Sequence, residues 1–139
     1  MRLMMCAFVL SVALAGQTAA NFSGKWIIQG VGRGGGRGGG QTLTLNQVAN
    51  EVTGELLGGG GGGGGGGSAA PINNELYDGK VENATVSFYV WRGTDKPYKV
   101  SYKGTVNAAG DEIAFTVTGL PGRGGAPPAA QTITAKRAK

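Results

Sequence analysis

The chain has 139 residues, with 13 Lys and Arg against 8 Asp and Glu, a formal net charge of +5, one cysteine and no histidine. Without histidine there is no Ser-His-Asp or Cys-His arrangement, no His-ligated zinc and no side chain whose ordinary pKa lies near neutrality. The positive excess is compatible with anionic glycans or surface polymers. It falls well short of the dense basic face of a nucleic-acid reader, so no specific nucleic acid is expected as a partner.

The first segment, residues 1–20, carries Arg2, then an apolar run from Leu3 to Ala15, then small residues ending in Thr18-Ala19-Ala20. Charge, apolar run and small-residue site in that order make a secretory signal peptide, and the run is short for a membrane span. Cleavage is expected after Ala20, with Ala15 as the alternative. The expected location is therefore secreted or periplasmic, with no membrane span in the mature chain. Cys6 lies inside the leader and leaves with it, so the mature chain has no disulfide and no soft metal ligand. Loss of Arg2 leaves twelve Lys and Arg against eight Asp and Glu, a net of +4. Residues 21–139 suit a single domain.

From Asn21 onward apolar residues recur at every second position, the period of a strand and not of a helix. Eight strands are predicted: Ser23 to Gln29, Gln41 to Gln47, Glu51 to Leu57, Asn74 to Val81, Ala84 to Trp91, Tyr98 to Val106, Glu112 to Thr118, and Gln131 to Arg137. In the fourth, Asp78-Gly79 reads as a bulge or a turn of its own. In the fifth, Val86, Phe88 and Val90 face one way and Ser87, Tyr89 and Trp91 the other. No helical period follows the leader.

Eight evenly spaced strands indicate an all-β sandwich or barrel. Short polar turns alternate with longer connections: Gly30 to Gly40, Gly58 to Ala70, Arg92 to Pro97 and Gly119 to Ala130. An up-and-down meander puts alternate connections at opposite ends, so the longer ones collect at one rim. The predicted fold is an all-β, eight-stranded, antiparallel up-and-down barrel, closed by pairing of the first strand with the last, with Gly-rich loops (30–40, 58–70, 119–130) at one end. The unbroken glycine run Gly58 to Gly67 and VGRGGGRGGG from Val31 read as solvated loops. In a functional reading, Arg33, Arg37 and Arg123 would be mobile cations over the barrel mouth. Gly30, Gly32 and Gly34 are followed by a strand and not a helix, which removes the dinucleotide-cradle reading.

Short motifs carry a resemblance at this point: Gly24-Lys25-Trp26, Val52-Thr53-Gly54, Phe88-Tyr89-Val90-Trp91, Tyr102-Lys103-Gly104 and the terminal Lys136-Arg137. Over almost all of the mature region the chain resembles the calycin group, the small lipocalin-like and avidin-like barrels, in a secreted bacterial form. The resemblance implies that Trp26 plugs the closed end and that a basic residue of the last strand crosses it. That residue is Arg137, or Lys136 if the strand parity is off by one. Elementary physics expects the same pairing, because a guanidinium over an indole contributes about 0.5–2 kcal/mol and covers it. Biotin binding is not implied. Ile28 stands where the avidin-like pattern has a polar contact, and Trp91 is out of phase with the inward residues before it.

A barrel of eight strands holds either a packed interior or one small ligand. Trp26, Ile28, Leu43, Leu45, Phe88, Tyr102 and Phe115 point inward and supply enough volume to fill much of it. The candidate ligand site is the rim between the fifth and sixth strands, where Trp91, Arg92 and Tyr98 offer an apolar face, a fork of donors and a phenol. Trp91 reads equally as an outward aromatic that covers a neighbouring surface. Glu75 and Asp78, three residues apart on a strand, are expected on opposite faces and so make a poor acid-base pair. With no nucleophile-base pair and no metal cluster, the chain reads as a non-enzyme without a cofactor. The expected function is a secreted or periplasmic lipocalin-like module binding a small or oligomeric ligand, a small molecule or a glycan, at the open end. The alternative is a filled, non-catalytic barrel that acts through its outer face and glycine loops, with self-association left open.

Overall fold

The computed structural model describes residues 20–29, 40–58, 73–93, 96–120 and 129–139. Most of the predicted leader and most of the glycine-rich tracts, with Arg33, Arg37 and Arg123, lie outside these residues.

Eight strands follow in order: β1 (Gly24–Ile28), β2 (Gln41–Val48), β3 (Glu51–Leu57), β4 (Tyr77–Glu82), β5 (Thr85–Arg92), β6 (Tyr98–Val106), β7 (Glu112–Thr118) and β8 (Gln131–Arg137). Each pairs antiparallel with the next, and β1 pairs with β8, so the sheet closes on itself as an up-and-down barrel. Closure is registered by Trp26 opposite Arg137 and Ile28 opposite Ala135. Among the described residues there is no helix, and none long and apolar enough to cross a membrane.

The alternation in the sequence becomes the wall of the barrel. On β7, Ile113, Phe115 and Val117 are buried, while Ala114, Thr116 and Thr118 are exposed. On β5 the buried set is Val86, Phe88, Val90 and, continuing the same phase, Arg92. The inward side chains of all eight strands form one cluster, in which no apolar member exposes more than 5% of its surface. Phe88 stacks on Tyr102 at 5.1 Å between centroids and meets Phe115 edge-on at 5.8 Å. A water-filled lumen would leave these side chains accessible, so the middle of the barrel is packed.

Backbone approach depends on two glycines. A Cβ on Gly104 would stand 2.5 Å from the Phe115 ring and 2.6 Å from Ile113, so its absence is what lets that ring lie against β6. Gly54, opposite Leu45 with φ of 155°, has no room either, since a Cβ would run into the Thr44 carbonyl. Because the obstacle is backbone, it cannot turn aside as a side chain could. Gly54→Ala is expected to lower unfolding stability by about 1–3 kcal/mol, with an unchanged urea m-value, in equilibrium unfolding.

β4 departs furthest from its predicted bounds, starting at Tyr77 and not Asn74. The register shifts between Tyr77 and Lys80, and Asp78 has a φ of 51°. Asp78-Gly79 is thus a bulge, with one extra residue in the strand. The extra residue breaks the alternation, so Glu75 and Asp78 are both exposed and do not take opposite faces.

Candidate functional site

The barrel holds an arginine inside each end, and the two are surrounded very differently. At one end Trp26 is fully buried and donates its indole N–H to the Phe22 carbonyl at 2.9 Å. The Arg137 guanidinium lies 4.3 Å from the centre of that ring. It donates to the carbonyls of Gly110 (3.0 Å), Ser23 (2.7 Å) and Asn21 (2.9 Å). Asn107 presents Gly110 by folding the β6–β7 turn, its side-chain oxygen accepting from the N–H groups of Asp111 and Glu112. Lys136 points to the outside, 3.8 Å from Glu112, so the cation that crosses the tryptophan is Arg137. Every donor direction used here ends on an oxygen.

At the other end, where β5 finishes and β6 begins, Arg92 sits opposite Tyr98 with its side chain turned inward and only 4% exposed. It is the one buried charged side chain among the described residues. The ion pairs among those residues are Lys80 with Asp78 and Lys136 with Glu112, and neither includes it. Nor does Arg92 donate a hydrogen bond to a described carbonyl, in contrast to Arg137. What it meets is the Tyr102 phenol, which rises from the packed core beneath it, with Tyr98 alongside. Tyr98 and Leu120, both half-buried against the core, line the same rim.

Burial pushes the Tyr102 phenol above its ordinary value of 10.0, and the pull of the Arg92 guanidinium beside it is too weak to reverse this. Tyr102 therefore keeps its proton at neutral pH and can still donate it. The raised folded value also makes stability depend on pH. The contribution is fully present below the unfolded value, near 10, and is lost as pH rises through the higher folded value. Tyr102→Phe is expected to flatten the alkaline loss of stability that sets in above about pH 10, followed by urea unfolding.

Of the three candidate rim residues, the barrel brings Arg92 and Tyr98 together on the inside and leaves Trp91 on the outside, half-buried. There Trp91 meets the edge of Tyr89 at 6.1 Å. Tyr89 in turn stacks on Tyr77 of β4 at 5.5 Å and carries the Lys99 ammonium 3.9 Å over its ring. No family model, no curated protein and no solved structure matches this chain.

In the sequence Tyr102 reads as core volume, and Tyr77, Tyr89 and Lys99 are not among the candidate site residues. A signal for Tyr102 was present. Extending the phase of Val86, Phe88 and Val90 by one step puts Arg92 inside, and a charge inside needs a polar companion on the neighbouring strand.

Proposed function

We propose that this chain is an exported, lipocalin-like binding module that holds a small carboxylate-bearing ligand at the open rim of the barrel. The observation that carries this is Arg92, a buried guanidinium that meets no carboxylate among the described residues. Arginine is rarely buried without a partner, and its planar fork matches a carboxylate in a bidentate pair. Tyr102 adds a retained phenolic proton next to it, and Tyr98 and Leu120 add half-buried apolar surface for the body of the ligand. The packed middle of the barrel supports a ligand lying across the rim with its acid group directed down at Arg92, and not one sunk in a lumen. Export is supported by the charge, apolar run and small-residue order of residues 1–20.

The test is calorimetric titration of the mature chain with decanoate and phenylacetate, repeated on Arg92→Met. Saturable binding that the substitution removes supports the reading. Binding of equal strength in the variant, or none in the parent, contradicts it. A second reading, a filled barrel acting through its outer wall, is favoured by the same packed interior and by the aromatic row beside Trp91.

A further inference from the structure

We propose that the outer face of β4 to β7 is a second binding site, distinct from the rim, and that it takes a chain of acidic sugars. The proposal rests on the outer-wall reading and is independent of Arg92. On this face Tyr77, Tyr89 and Trp91 form a continuous row across β4 and β5, each half-buried. Next to the row a shallow groove of about 490 Å3 runs over β5, β6 and β7. Its floor and walls carry the hydroxyls of Ser87, Ser101, Thr116 and Thr118. Aromatic surface next to a field of hydroxyls suits a sugar ring, which has apolar C–H faces and a polar circumference.

Charge selects the kind of sugar. Lys99 and Lys103 are exposed along the groove, four residues apart on β6, a span of about 13 Å along a strand. The single carboxylate in the lining, Asp78, lies 3.6 Å from Lys80 and so is already matched. The groove therefore offers two cations to anionic groups at separate points of an extended ligand, as the uronate carboxylates of a polysaccharide provide.

Two other occupants fit less well. A two-fold contact with a second copy would bring the same lysines of both chains toward each other, and lysine is depleted in such interfaces. Single-stranded nucleic acid depends on stacking successive bases on free ring faces, and Tyr89, the centre of the row, is flanked by Tyr77 from one neighbouring strand and Lys99 from the other; a sugar chain held through its hydroxyls and carboxylates depends on such faces less.

The chain has two tryptophans, and Trp26 is fully buried with its N–H bonded, so a fluorescence change caused by an outer-face ligand comes from Trp91. The experiment titrates the mature chain with oligogalacturonate, with its fully methyl-esterified neutral form, and with a single-stranded RNA homopolymer, following emission. Oligogalacturonate is expected to give a saturable shift that weakens about tenfold or more in Lys99→Gln/Lys103→Gln, and likewise on esterification. Both lysines are exposed, so the variant is expected to fold, and its circular dichroism checks this. The proposal is overturned by no shift, by equal affinity for the esterified form or in the double variant, by tighter binding of RNA, or by sedimentation showing that the shift accompanies dimerisation. Decanoate titration of the same double variant reads the rim separately, so failure of one site can be told from failure of the other.

Discussion

Replacing Trp26 with alanine is expected to lower unfolding stability by about 3–5 kcal/mol, the largest loss of any single substitution considered for this barrel. The indole is fully buried, its N–H is bonded to Phe22, and it fills the end where the first and last strands meet. Its removal leaves a cavity and takes from Arg137 the surface on which the guanidinium rests. For a domain whose total stability is about 5–15 kcal/mol, that change leaves a substantial unfolded fraction in mild urea. Arg137→Met isolates the other half of the plug, since it removes three hydrogen bonds to carbonyls and the cation over the ring. A double-mutant cycle between the two is expected to show a coupling of about 0.5–2 kcal/mol. Urea unfolding followed by far-UV circular dichroism measures all three variants. A Trp26→Ala loss below about 1 kcal/mol would mean that strand closure does not depend on the plug.

Arg92→Met is expected to act in opposite directions on stability and on binding. A buried charge with no carboxylate beside it among the described residues costs free energy, and methionine of similar length supplies apolar volume in its place. Stability is therefore expected to rise by about 1–3 kcal/mol, in line with other replacements of buried charges by apolar side chains. Carboxylate affinity is expected to fall by about 2–5 kcal/mol, from thirty-fold to several thousand-fold, because the ligand's acid group loses its counter-charge. Such a trade of stability for function marks a residue kept for what it binds. Asp95, which lies outside the described residues, is the carboxylate closest to Arg92 in the sequence. Asp95→Asn is the control. If both Asp95→Asn and Arg92→Met destabilise the chain, the guanidinium is an internal tie and not a receptor.

The fold was legible because most strands obey a single rule. β3, β6, β7 and β8 have the bounds that two-residue alternation predicts, and the inward residues named from that alternation are buried. Pairing of β1 with β8 is what an up-and-down barrel of eight evenly spaced strands predicts, reinforced by the tryptophan on the first strand and the cation on the last. β4 was less legible because the bulge at Asp78 adds a residue, and periodicity has no means of announcing an insertion. The same bulge concealed the outer aromatic row. Tyr77 and Tyr89 face each other only in the shifted register, which cannot be counted from the turn between the strands. At the rim, Arg92 was recognised as a donor but separated from the inward set, since apolar character was used to mark the strand and its charge looked like the strand's end. Its partner Tyr102 was legible as volume and not as chemistry, because an aromatic among apolar neighbours reads first as core. The glycine tracts carry no side-chain pattern from which structure could be argued.

The most direct test of the central claim, that the buried arginine is a receptor for a carboxylate, is a matched pair of calorimetric titrations of the parent chain with decanoate and decanamide. The two ligands share their apolar body and differ only in the group offered to Arg92. Saturable binding of the acid is expected, with an affinity for the amide at least about thirty-fold weaker, matching the loss of one buried charge pair. Equal affinity for acid and amide would contradict it.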